Sequence, residues 1–214
     1  MAAEEEELRT GLLIDWGGVM TSNLFASFGD FCRSEGLDPS ALAGLFRGDP
    51  EARALLVGFE EGRIEESDFE RELGVLLGVA STEGLIDRLF AGAQPEESMV
   101  AAVLGARAGG VRTGLISNSW GTARYPRALL EELFDGIVLS GEEGMRKPAP
   151  RIYELGAERI GLAPRACVFV DDLSFNLPPA QELGMATVHH TDAATTIAEL
   201  ERLFGLPLAL AGER

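Results

Sequence analysis

Cys167-Val-Phe-Val170 followed by Asp171-Asp172 decides the fold. Four consecutive apolar residues that stop on two carboxylates read as a buried parallel strand whose carboxyl end meets solvent. The same pattern recurs along the chain. Gly11-Leu-Leu-Ile-Asp15 stops at Gly17-Gly18, Val111–Ser117 ends in Gly-Leu-Ile-Ser, and Gly136–Ser140 and Ala186–His189 complete a set of five. Helical stretches separate them: Ser98–Ala108, Pro126–Leu133, Arg151–Ile160 and Pro178–Leu183, with Thr195–Phe204 closing the chain. Strand alternating with helix predicts an α/β, doubly wound, parallel five-stranded Rossmann-like core.

One segment breaks this rhythm. Between Ser22 and Gln94 there is no strand-like run, only helical stretches: Leu24–Gly36, Pro39–Phe46, Pro50–Val57, Glu66–Leu77 and Thr82–Phe90. Asp38, Asp49 and Ser81 occupy expected N-cap positions. The reading is a helical cap domain over residues 22–94, inserted into a core made of residues 1–21 and 95–214. Phe25, Phe28 and Phe31 recur three residues apart, which suits the cap's interior, with Phe28 or Phe31 open to substrate contact.

Composition narrows the classes. A net charge of −17 disfavours nucleic acid and anionic lipid as partners. No run is long and apolar enough to span a bilayer. The acidic segment Met1–Glu7 lacks the features of a signal peptide and is expected to fray. Cys32 and Cys167 make no metal-ligand spacing, so a reduced cytoplasmic protein is expected. The oligomeric state is open between monomer and homodimer.

In an open α/β sheet, ligands bind beyond the carboxyl ends of the strands. Asp15 ends the first strand, Ser117 and Asn118 the second, and Asp171-Asp172 the fourth. Lys147, the only lysine, follows the third within Gly144-Met-Arg-Lys-Pro-Ala-Pro150. Carboxylates crowded at one rim call for a cation, and oxygen ligands without histidine favour Mg²⁺ over Zn²⁺. Ser117, the Asn118 backbone and Lys147 supply donors for phosphoryl oxygens. Gly17 and Gly18 let a small phosphorylated substrate approach Asp15, whose carboxylate can act as a nucleophile. His189 and His190 have no part in this chemistry. Trp16 and Trp120 suit packing under the cap as well as a substrate pocket.

Leu115-Ile-Ser-Asn-Ser-Trp120, Gly144-Met-Arg-Lys-Pro-Ala-Pro-Arg-Ile-Tyr153 and Val168–Met185 resemble the haloacid dehalogenase superfamily, in the branch with a helical cap after the first strand. They are most similar to the N-terminal phosphatase domain of soluble epoxide hydrolases. The resemblance implies Asp15 as nucleophile and Mg²⁺ ligand, with the Gly17 carbonyl and Asp172 as further ligands and Asp171 beside them. It implies that Ser117 and Lys147 hold the phosphoryl group, and that Asn176 organises the loop. Phosphatases of that family usually carry a second aspartate, an acid/base, two residues after the nucleophile. Here that position is Gly17. Glu60 and Glu61 are candidate substitutes, although a solvated position suits them better.

The expected function is a phosphatase slowed by that loss. The alternatives are a phosphate-ligand binding protein without turnover and, less favoured, a haloacid dehalogenase, whose relatives place Tyr after the nucleophile. Phosphonate cleavage would need a cap lysine, which this chain lacks.

Overall fold

The computed structural model describes residues 9–208. The N-terminal segment expected to fray lies outside them. Five parallel strands, β1 (Gly11–Ile14), β2 (Arg112–Ser117), β3 (Gly136–Leu139), β4 (Cys167–Asp171) and β5 (Ala186–His189), form one sheet in the order β3-β2-β1-β4-β5. The strand runs are continuously apolar because both faces of the sheet are covered. Leu12, Ile14, Leu115, Val168 and Val170 point into one core cluster, and Leu13, Ile116, Cys167 and Phe169 into another on the opposite face. Helices α6 (Glu97–Ala108), α7 (Arg127–Leu133) and α11 (Ala193–Phe204) cover the first face. Helices α9 (Pro150–Arg159) and α10 (Leu177–Glu182) cover the second. Leu13 is fully buried, so Leu13→Ala costs about 2–5 kcal/mol by the usual transfer and cavity terms.

Between β1 and α6 run five helices: α1 (Leu24–Ser34), α2 (Ala41–Gly48), α3 (Pro50–Glu60), α4 (Glu66–Leu77) and α5 (Leu85–Phe90). They bury a cluster of their own around Phe31, Leu42, Leu55, Phe59, Phe69 and Leu85. Where the chain leaves and rejoins the core, Ser22 N–H donates to the Gln94 carbonyl at 2.7 Å and Glu96 N–H to the Met20 carbonyl at 2.9 Å. The two crossings thus form a short antiparallel ribbon, with Thr21 bridged to Pro95.

Of the expected N-caps, Asp49 caps α3 through its side chain. Asp38 does not cap α2 directly; its carboxylate turns the chain by accepting from Ser40 N–H and Oγ, and Ser40 occupies the cap position. Ser81 is no cap. Its carbonyl accepts from Arg88, and α5 starts later, after left-handed Gly84. Asn23 caps α1 by accepting from Phe25 and Ala26 N–H. The sequence reading also has no counterpart for the single turn α8 (Ser140–Glu143) after β3.

Candidate active site

Register builds the site. Ile14 pairs with Val170 across β1 and β4, and Asp15 N–H donates to the Val170 carbonyl at 2.9 Å. Asp15 and Asp171 therefore leave adjacent strands side by side. This is the point where the strand order reverses, which opens a crevice in a doubly wound sheet. Lys147, also fully buried, reaches in from the loop after α8. Its Nζ lies 2.8 Å from Asp15 Oδ1 and 2.6 Å from Asp171 Oδ2. Burial works against the ammonium, but the two carboxylates outweigh it and hold its pKa above the ordinary lysine value.

Each carboxylate has a distinct environment. Asp15 Oδ1 accepts from Trp16 N–H at 2.7 Å as well as from Lys147. No hydrogen bond among the described residues reaches Oδ2. Burial pushes the Asp15 pKa up to about 7; Lys147 pulls the other way, and Asp171 and Asp172 add repulsion. Asp171 is engaged on both oxygens, by Leu173 N–H, Asn176 Nδ2 and Lys147 Nζ. The Asp172 pKa is pushed up to about 6, by burial first and by Asp171 second. Oxygens of Asp15, Asp171 and Asp172 all lie within 4.8 Å of one another. Gly18, at φ +75°, lies in the left-handed region, and a Cβ there would stand 2.6 Å from Asp172 Oδ2. Backbone and neighbour both call for glycine at that position.

The structure brings the sequence-predicted residues together and adds partners to some of them. The part expected of Asn118 is its backbone's, and its side chain has a separate one. Its Oδ1 accepts from Lys147 N–H at 2.8 Å and its Nδ2 donates to the Lys147 carbonyl at 3.0 Å, clamping the lysine's backbone. Asn176 braces Asp171, and its own carbonyl accepts from the Tyr153 hydroxyl at 2.7 Å. Ser117 Oγ shares a hydrogen bond with the Tyr125 hydroxyl at 2.8 Å. The sequence carries no signal for this role of Tyr125, which stands in an isolated Arg-Tyr-Pro.

Glu60 is not solvated as expected. It is only 5% exposed at the end of α3, accepts from Trp120 Nε1 at 3.1 Å and lies 2.5 Å from Arg146 Nε. Burial raises its pKa against the pull of Arg146 and Trp120. The Glu60 carbonyl also accepts from Ser140 Oγ, which docks the tip of the helical insert on the core. Next to it Gly62, at φ +68°, comes so near the Gly141 backbone that a Cβ would sit 2.3 Å from the Gly141 carbonyl oxygen. Glu61 instead pairs with Arg63. Neither histidine lines the cavity described below. His189 Nε2 donates to the Asp172 carbonyl at 2.9 Å, and buried His190 pairs with Thr196 Oγ1.

One cavity of about 760 Å³ opens between the strand ends and the helical insert. Asp15, Gly17, Ser117, Lys147 and Asp172 line its floor. The arrangement offers a carboxylate nucleophile beside a buried cation and a hydroxyl donor, which is the equipment for displacement at an electrophilic centre bearing anionic oxygens.

Known proteins resemble the chain over most of the described residues. Residues 10–184 match the family model of the haloacid dehalogenase-like hydrolases. The chain is 33% identical over 135 residues to bifunctional epoxide hydrolase 2 of Sus scrofa, a match covering 60% of this chain and 24% of that longer protein. It is 32% identical over 152 residues to the sesquiterpene phosphatase astK of Aspergillus oryzae, covering 69% of this chain and 78% of the relative. Among solved structures, the HAD family enzyme bt-2542 of Bacteroides thetaiotaomicron, in complex with magnesium and inorganic phosphate, superposes with a TM-score of 0.63. That match has 24% identity and covers 84% of this chain and 93% of the other. At that identity it speaks for the fold.

Proposed function

The chain belongs to the haloacid dehalogenase-like hydrolases, and from that membership we propose that it is a Mg²⁺-dependent phosphatase of a phosphate monoester, working through an aspartyl-phosphate on Asp15. The observation that supports this most strongly is the split environment of Asp15. Trp16 N–H and Lys147 hold Oδ1, which leaves Oδ2 as the attacking atom. The sesquiterpene phosphatase among the relatives points to the same reaction class.

The residues present fit Mg²⁺. The donor set is all oxygen, and three carboxylate groups within 4.8 Å of one another make a rim that suits a hard cation. Asp15, the Gly17 carbonyl and Asp172 would hold the ion. Asp171, occupied by Lys147 and Asn176, stands behind them. When bound, Mg²⁺ supplies neutralisation of the phosphoryl oxygens and of the crowded carboxylates.

The chain's own residues do the rest. Lys147 Nζ and Ser117 Oγ, the latter oriented by Tyr125, donate to the phosphoryl oxygens. Asp15 Oδ2 attacks phosphorus, an O–P bond forms to the enzyme, and the ester O–P bond breaks. The departing alkoxide takes its proton from water, because Gly17 offers none. Water then attacks the aspartyl-phosphate, releasing inorganic phosphate and restoring the carboxylate. With no carboxylate at position 17 to activate that water, this second step is the slow one.

Gly17 also favours one second reading, a phosphate-ligand binding protein that no longer turns over. Rapid-quench kinetics with p-nitrophenyl phosphate and Mg²⁺, with Asp15→Asn as blank, separates the two. A burst of nitrophenol followed by slow turnover, absent in Asp15→Asn, supports the phosphatase. Binding of phosphate without nitrophenol release supports the second reading.

A further inference from the structure

We propose that Glu60 is a positioning residue for Lys147: from the tip of the insert it fixes, through Arg146, the backbone that carries the phosphoryl-binding ammonium. This rests on the phosphatase reading and deepens it, because part of the grip on the phosphoryl group then depends on a side chain of the insert.

A ring of contacts joins the two residues. Glu60 is the last residue of α3, and its Oε2 lies 2.5 Å from Arg146 Nε. Arg146 is bonded to Lys147, whose N–H and carbonyl are both held by the Asn118 side chain, at 2.8 and 3.0 Å. Asn118 leads into Ser119, whose N–H donates to Ser140 Oγ at 2.8 Å. Ser140 Oγ in turn donates to the Glu60 carbonyl, which closes the ring. Trp120 Nε1 braces it by donating to Glu60 Oε1 at 3.1 Å. The other members belong to the core, and Glu60 alone comes from the insert.

The Glu60–Arg146 pair is a poor stabiliser. Glu60 Oε2 and Arg146 Nε are buried, and neither makes a hydrogen bond, so the two meet by charge alone. Desolvating two charged groups commonly costs as much as their attraction returns, so such a pair is better explained by what it positions. Burial also takes Glu60 away from proton transfer. Oε1 is occupied by Trp120, and Oε2 has no solvent contact.

Lys147 needs to be positioned. Its Nζ stands 2.8 Å from Asp15 Oδ1 and 2.6 Å from Asp171 Oδ2, and must also reach a phosphoryl oxygen. The head of a flexible four-carbon stem is only as well placed as its backbone. A displacement of about 1 Å in a positioned group costs up to about 10²-fold.

The test is vanadate affinity in the presence of Mg²⁺. Glu60→Gln keeps the side-chain size and an acceptor for Trp120 but removes the charge that draws Arg146. It should weaken vanadate binding by about 10- to 10²-fold, the scale of a misplaced group. Arg146→Met should weaken it equally, and the double variant no further, because both cut the same link. Arg124→Ala, which cuts a different tie between insert and core, should leave the affinity unchanged. Lys147 is the only lysine, so labelling with [ε-¹³C]lysine gives a single side-chain resonance. That resonance should move in Glu60→Gln and Arg146→Met and stay in place in Arg124→Ala. Should Glu60→Gln not fold, Arg146→Met carries both readouts. Unchanged affinity and resonance in the folded variants, or losses that multiply in the double variant, overturn the proposal. Should the wild type bind no vanadate and release no nitrophenol, the phosphatase reading falls, and the Lys147 resonance then decides on its own whether Glu60 sets the lysine.

Discussion

The floor and the roof of the cavity are built on opposite principles. On the floor, Lys147 joins Asp15 and Asp171 at the ends of β1 and β4, while Asn176 braces Asp171 and Asn118, after β2, clamps the lysine's backbone. The roof is a wall of phenylalanine, leucine and tryptophan side chains held by non-directional packing. A floor residue is therefore irreplaceable, because removing it strands a buried charge. A roof residue is exchangeable for another of similar volume at a cost usually under about 1.5 kcal/mol. The floor fixes a reaction; the roof is free to change substrate while that reaction stays.

The largest effect should follow from breaking the floor. Lys147→Ala leaves Asp15 and Asp171 facing each other in a buried site. We expect a loss of about 3–5 kcal/mol in urea unfolding without Mg²⁺, typical of a broken buried pair, together with loss of vanadate binding. Lys147→Arg should recover little, since a planar guanidinium cannot occupy the space of a point-like ammonium between two carboxylates. Unchanged vanadate binding in Lys147→Ala would reduce the residue to a loop cation.

Next in size is Gly17→Asp. The backbone at Gly17 is not left-handed, unlike that of Gly18, so a side chain is conformationally admissible. A Cβ at position 17 would lie 2.7 Å from Leu24 Cδ1, the flexible end of a side chain at the mouth of the insert, which must shift. A carboxylate there should raise the rate of the second step by about 10²–10⁴-fold, the usual contribution of a general acid or base, and abolish the burst. Fast wild-type turnover of an alkyl phosphate with no burst would show that another group already moves the proton.

The two regions also differ in what their sequence reveals. The floor was legible because a parallel strand buried on both faces must be continuously apolar, so the first polar residue after the run marks its carboxyl end. Asp15, Ser117 and Asp171 announce themselves this way. The roles of Asn118, Tyr125 and Glu60 were not legible, because they depend on partners far along the chain. Asn118 finds Lys147 29 residues later, and Glu60 meets Trp120 across 60 residues and Ser140 across 80. In the roof, helix existence was plain from periodicity. Ser81 resembles a cap in the sequence, whereas left-handed Gly84 sets the start of α5. Which of Phe25, Phe28 and Phe31 face the cavity was settled only by packing. Phe31 is buried in the insert's own cluster, and the other two line the cavity.

Glu60 lies where floor and roof meet and should behave as a mixture of the two. Glu60→Ala removes the acceptor of Trp120 Nε1 and the partner of Arg146, and we expect a cost of about 1–3 kcal/mol in thermal or urea unfolding, the penalty of leaving buried donors unsatisfied. Glu60→Gln retains an acceptor for Trp120 and should recover part of that. If Glu60→Gln is as damaging as Glu60→Ala, the charge on Arg146 matters more than the hydrogen bond.

The smallest effect tests what holds the roof down. Arg124, just after β2, reaches up to Glu66 on α4 with both guanidinium arms and to Asp87 on α5 at 2.7 Å. This is the most conspicuous charged tie between core and insert, and a count of contacts would make it the main fastening. Physical reasoning ranks it low. The Glu66 and Asp87 side chains are 42% and 71% exposed, so solvent and salt screen the attraction, and pairs of this kind are worth about 0–1 kcal/mol. Trp120, inserted from the core among Phe28, Phe46, Phe69 and Phe90, offers far more buried contact at the same junction. Arg124→Ala should therefore lower stability by less than about 1 kcal/mol, and hydrogen exchange at the ribbon of Ser22 and Glu96 should quicken only slightly. Trp120→Ala should quicken it clearly more. A loss beyond about 2 kcal/mol in Arg124→Ala, well outside the range for exposed pairs, would show that charge rather than apolar packing fastens the roof, and the contrast between the two regions would fail at its seam.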